Sequence, residues 1–118
     1  MQLPELVEKL DADLIAGYTN PDTEFSQVGA SDFMSDILAA ALSEGSILLT
    51  GLTTVQAVKT AVISGVGAVV FVRGKKPPQE VIDLAMSHEI PLLSTPCSMF
   101  ISCGRLYGEG FTGLNGKR

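Results

Sequence analysis

The sequence predicts an α/β domain of three layers, a small and mainly parallel sheet with helices on both faces. Three observations predict it. Apolar runs of strand length alternate with stretches of helical periodicity, which is the pattern of βαβ units and a parallel sheet. The runs at 46–50 and 68–72 are almost continuously apolar, as in strands covered on both faces. Glycine, proline, serine and threonine punctuate the junctions between them. With 118 residues, 46% of them hydrophobic and 18% charged, the chain has the size of one domain and the apolar content to offset the entropy of ordering it.

Each element follows in order. Leu3, Leu6, Val7 and Leu10 recur at helical spacing, and the acids at 11–13 interrupt them before a short strand at 14–18. Asn20-Pro21-Asp22 is turn chemistry, and residues 25–28 form a second short strand running into Gly29. Ser31 is placed to cap a helix whose stripe is Met34, Ile37, Leu38, Ala41 and Leu42, closed by Gly45. After the strand at 46–50, Thr53 and Gln56 read as a capping box opening a helix with Val55, Val58, Ala61 and Val62, which Gly65 ends. The unit then repeats: strand 68–72, loop 73–78, helix 80–88, strand 91–93 and helix 97–106. Residues 1–107 are expected as the domain, and the glycine-rich stretch 108–118 as a loose tail or a docking segment.

Charge and composition exclude several functions. Formal net charge is −5 and the bases cluster only weakly, at Arg73, Lys75 and Lys76, so nucleic acid is not an expected partner. No apolar run approaches the length of a membrane span, and acids stand where a signal peptide carries bases. Cys97 and Cys103, six apart on the helix expected there, point about 240° apart around its axis and are not expected to pair. Two unpaired thiols without a secretion signal suit the cytoplasm.

In an open parallel sheet ligands sit beyond the carboxyl ends of the strands, where helix N-termini gather. Three polar loops are expected at that edge, and the candidate ligand-binding residues are Thr50, Gly51, Thr53 and Thr54 in the first, Arg73 and Gly74 in the second, and Ser94 and Thr95 in the third. Hydroxyls, amides beside glycine and a guanidinium are the groups that hold a phosphate or carboxylate. The same threonines and serines also serve as ordinary caps, and Arg73 as a solvated side chain.

Catalytic signatures are missing: there is no phosphate loop, dinucleotide fingerprint, nucleophile elbow, zinc-binding histidine pair or C-x-x-C motif. The chain is therefore expected not to be an enzyme, and no metal or other cofactor is expected. His88, the single histidine, reads as a residue at a helix end with no second ligand beside it. Cys97 reads as a small packing side chain, with a thiolate favoured by a helix N-terminus as the alternative. Asp32 and Asp36, four apart, read as a solvated face or a complement to the helix dipole.

The order of elements, together with Gly29-Ala30-Ser31-Asp32-Phe33-Met34-Ser35-Asp36-Ile37-Leu38, the strand and loop at 47–54, Pro91-Leu92-Leu93-Ser94-Thr95-Pro96 and Gly104-Arg105-Leu106-Tyr107, resembles the DRTGG domain family over about residues 3–107. At the eponymous positions this chain reads Leu52-Thr53 and Val72-Arg73-Gly74, which leaves Arg73 to supply the cation from the neighbouring loop. The resemblance implies a fold like the N-terminal domains of HPr kinase and Mur ligases. It also implies a stand-alone regulatory protein of anaerobes that forms a homodimer. Two functions follow as expectations: a regulatory module binding a nucleotide or other anionic metabolite, or a dimeric scaffold docking on a partner enzyme. A mean hydropathy of +0.32 fits apolar surface covered by a partner.

Overall fold

A computed structural model of the chain describes every residue except Tyr18, Thr19 and Pro21. In chain order the elements are α1 (Leu3–Lys9), β1 (Asp13–Ala16), β2 (Gln27–Ala30), α2 (Met34–Ala39), β3 (Ser46–Thr50), α3 (Val55–Ser64), β4 (Ala68–Phe71), α4 (Gln79–Ser87), β5 (Leu92–Ser94) and α5 (Met99–Gly108), followed by a 3-10 turn at Leu114–Gly116. The five strands form one sheet in the order β1-β5-β4-β3-β2. The pairs β2/β3, β3/β4 and β4/β5 are parallel, and β1 closes one side antiparallel to β5. The expected α/β class and its mainly parallel sheet are thus observed.

Alternation along the central strands divides the core into two layers. Ile47, Leu49, Ala68, Val70 and Leu93 face α1 and α5, where they meet Leu3, Leu6, Leu10 and Leu106. Leu48, Val69, Phe71 and Leu92 face α2, α3 and α4, packing on Met34, Ile37, Val58, Ala61, Val81 and Ala85. Every residue of β3 and β4 is buried, which is why those segments read as unbroken apolar runs. Each large side chain among them contributes about 1.5–3 kcal/mol by leaving water. The register holds the strand ends level: Thr50 lies beside Phe71, and Phe71 beside Ser94. The loops that follow these strands therefore open on one edge.

Several helix boundaries differ from the sequence expectation. Helix α2 starts at Met34, and Ser31 sits before it, its Oγ accepting from the Phe33 N–H at 2.9 Å. Gly45 does not close it, because Ala40 turns extended at ψ 154°, the Ala41 N–H donates to the Asn115 side chain, and the Ser43 N–H donates to Ser46 Oγ at 3.0 Å. These side-chain acceptors compete with the helix; of the expected stripe Met34 and Ile37 are buried, and Leu38 is 49% exposed. Helix α3 is capped by Thr54, whose Oγ1 accepts from the Ala57 N–H at 3.2 Å; the Thr53/Gln56 capping box does not form. Gly65 ends α3 in the left-handed region at φ 73°, as expected. Helix α5 is capped by Ser98, with Cys97 lying ahead of it, so the two cysteines do not share a helix; both are free thiols. His88 is the residue at which α4 ends. The predicted end of the first strand at Tyr18, and Pro21 of the predicted turn, lie outside the described residues.

The C-terminal stretch is packed onto the sheet. Phe111 is 4% exposed within the α1/α5 layer, and Thr112 bridges the edge of β2, donating to the Ser26 carbonyl at 3.0 Å and accepting from the Val28 N–H at 2.9 Å. Leu114 reaches the opposite layer over Gly29, where an added Cβ would stand 3.2 Å from its Cδ2. The segment straddles β2 and covers the edge that a terminal strand otherwise exposes.

Candidate functional site

At the carboxyl edge the loops after β2, β3, β4 and β5 meet side by side because those four strands are consecutive and parallel. The loop after β2 supplies Asp32. Its Oδ1 accepts from the Gly51 N–H at 2.7 Å and from the Thr50 hydroxyl at 2.9 Å. The hydroxyl of Thr50 in turn accepts from the Leu52 N–H at 3.2 Å, which fixes the tight turn leaving β3. The Gly51 hydrogen bond holds the Asp32 carboxyl below the usual carboxylate range; partial burial works against this, and Thr50, Lys75 and Arg73 add to it.

The loop after β4 supplies the cations. Arg73 takes a left-handed backbone at φ 60°, and Gly74 follows at φ 68°. The conformation is held from the β5 side: the Arg73 N–H donates to the Cys97 carbonyl at 2.8 Å and the Gly74 N–H to the Thr95 carbonyl at 2.7 Å. A non-glycine residue in this region costs about 1 kcal/mol or more, which these bonds offset. The turn leaves the Arg73 side chain exposed and brings its Nη2 over Gly51, 3.3 Å from where a Cβ would stand. Lys75 Nζ donates to the Gly51 carbonyl at 3.1 Å. Two cations therefore flank Gly51, Lys75 on its carbonyl and Arg73 beside its Cα, with the Asp32 carboxylate on its N–H.

The loop after β5 is a brace. Ser94 is 2% exposed and its hydroxyl donates to the Lys75 carbonyl at 2.7 Å. Thr95 is fully buried, donates to the Leu10 carbonyl at 2.5 Å and accepts from the Cys97 N–H at 3.1 Å. Cys97 lies before the N-cap of α5, not in its first turn, and its Sγ contacts the Leu10 carbonyl at 3.7 Å.

The eight residues singled out from sequence thus fall into distinct positions. Arg73 presents its side chain at the edge, and Thr50 and Gly51 spend their donors on Asp32. Thr54 caps α3, Gly74 forms the turn after β4, Ser94 and Thr95 bind backbone carbonyls, and Thr53 lies half-buried before the cap. Asp32 and Lys75 were not among the eight. Asp32 faces Gly51 only because β2 lies parallel beside β3, a neighbour relation that spacing along the chain does not carry.

Among the described residues no helix is long and apolar enough to cross a membrane. No protein-family model and no curated protein matches the chain. Its fold is similar to a crystal structure of the CBS and DRTGG domains of the regulatory region of Clostridium perfringens pyrophosphatase, complexed with the activator diadenosine tetraphosphate. The TM-score is 0.69 at 19% identity, over 89% of this chain and 45% of that one, so this chain spans less than half the length of that neighbour. The likeness is one of fold, and it supports a DRTGG-like α/β architecture.

Proposed function

We propose that the chain is a non-catalytic regulatory module of DRTGG type that binds a nucleotide or another small anionic metabolite at the carboxyl edge of its sheet. The observation that carries this reading is the pair of cations, Arg73 and Lys75, set around the Gly51 peptide in a chain whose net charge is −5. A hydrogen-bonded left-handed turn brings an exposed guanidinium beside Gly51, whose N–H donates to a carboxylate oxygen. That geometry suits a phosphate, which a guanidinium can grip with two parallel bonds. Thr53 and the threonine-capped N-terminus of α3 stand beside it. The fold neighbour, a regulatory region complexed with diadenosine tetraphosphate, supports a nucleotide as the class to try first.

Thermal unfolding in the presence of ATP, ADP, AMP, GTP and diadenosine tetraphosphate tests the reading. A nucleotide at 100 times its Kd adds about 2.7 kcal/mol, on the order of 10 °C for a domain of this size. An Arg73→Ala/Lys75→Ala double variant should lose the shift, whereas Asp32→Asn should bind about threefold to fivefold more tightly, because it removes a like charge near the anion. An unchanged melting temperature with all five nucleotides opposes the proposal.

The second reading is a homodimeric scaffold that docks on a partner enzyme without a small-molecule ligand. Phe33 is 73% and Phe100 84% exposed, apolar surface that a second copy of the chain or a partner enzyme would cover. Sedimentation equilibrium decides it: a dimer that Phe100→Ser dissociates supports a scaffold, and a monomer at high concentration opposes one.

A further inference from the structure

The two faces of the sheet are covered unequally. Helices α2, α3 and α4 pack on one, but only α1 and α5 on the other, and there the C-terminal segment stands in for a third helix over β2. A stretch of loop fills that space less completely than a helix, and a hollow of about 300 Å³ remains. Val28 and Ala30 of β2 contribute one side of it, Cys103 and Tyr107 of α5 a second, and Phe111 with the stretch 112–114 that crosses the β2 edge a third. Such a size with mainly apolar walls lies at the lower end of the range of small-molecule sites.

Its charged side chains are of one sign. Lys117 and Arg118 border the hollow, and none of its lining residues is an acid, although the chain as a whole carries a net charge of −5. The backbone at Lys117 and the guanidinium of Arg118 are held in place. The Gly113 N–H closes a turn onto the Lys117 carbonyl at 2.5 Å, while Arg118 stacks over the Tyr107 ring at 4.0 Å and donates to the Tyr107 carbonyl. Cys103 is half-buried in the wall, and that burial pushes its thiol up.

We propose that this hollow is a second binding site, separate from the carboxyl edge, for a small organic anion with an apolar body. The aromatic or branched part enters between β2, α5 and Phe111, and the carboxylate or sulfonate stays at the rim on Lys117 and Arg118. The ring of Tyr107 forms part of the wall and positions Arg118.

The probe for the test is 8-anilinonaphthalene-1-sulfonate, an aromatic body with one anionic group, compared with neutral N-phenyl-1-naphthylamine, on the full chain at neutral pH. The expected result is saturable binding of one sulfonate per chain with blue-shifted emission. Lys117→Gln/Arg118→Gln should weaken the sulfonate about tenfold and leave the neutral analogue unchanged. Ala30→Phe, which fills the hollow, should abolish both. Because Ala30→Phe can also disturb folding, alkylation of Cys103 in a Cys97→Ser background gives an independent reading, and saturating sulfonate should slow it at least about fivefold by covering the thiol. Non-saturating fluorescence, equal binding by the glutamine variant, or an unchanged alkylation rate each overturns the proposal. None of these outcomes bears on nucleotide binding at the carboxyl edge.

Discussion

Asp32 shows how one carboxylate organises an edge. Its hydrogen bonds to Gly51 and Thr50 join the loops after β2 and β3, and its lowered pKa makes that join depend on pH. A carboxyl whose folded pKa lies below its unfolded value stabilises the fold above the unfolded value, near 3.8, and loses that contribution as pH falls through the folded one. Asp32→Ala should therefore cost roughly 1 kcal/mol at pH 7, a figure held down by the exposure of the side chain. In urea titrations the gap between wild type and variant should close as pH drops below 3.8; a gap that persists at low pH would mean that the charge plays no part. This residue was only half legible in the sequence. Its acidity and its place after a strand were visible, but its partner lies 19 positions away across a strand pairing. Arg73 was legible as a loop cation, whereas the left-handed backbone that aims it was not, since bulky residues rarely adopt it.

At the scale of elements, the continuous apolar runs of β3 and β4 were readable because burial on both faces leaves no polar position to blur them. Helix starts were readable only to within a few residues, because Thr53, Thr54, Cys97 and Ser98 all offer plausible first turns and geometry selects among them. Two substitutions separate the candidates at α3. Thr54→Ala should cost about 1 kcal/mol by removing the acceptor of the Ala57 N–H, and Thr53→Ala should stay within about 0.5 kcal/mol. Equal costs measured by denaturant unfolding would return the cap to the T-x-x-Q pattern. Composition marked the C-terminal segment as loose, since four glycines in eleven residues dominate its appearance. What holds it is Phe111 in the core and the Thr112 bridge to β2. Phe111→Ala should lower stability by about 3 kcal/mol, as for a phenylalanine removed from a core; a loss under 1 kcal/mol would mean that the segment rests on the surface.

At the scale of the whole molecule, the fold class followed from alternating strands and helices, but the strand order β1-β5-β4-β3-β2 did not. That order places the loops after β2, β3, β4 and β5 side by side and puts Asp32, Gly51, Arg73 and Thr95 on a single edge. The central claim is that this edge receives an anionic ligand. The most direct test is an amide-resolved NMR titration of the intact chain with ATP and with diadenosine tetraphosphate. Saturable shifts concentrated at the amides of Gly51, Thr53, Arg73 and Gly74 are expected, and they should be lost in the Arg73→Ala/Lys75→Ala variant. Shifts confined to β2 and α5 around Cys103, or a spectrum unchanged by millimolar nucleotide, would contradict it.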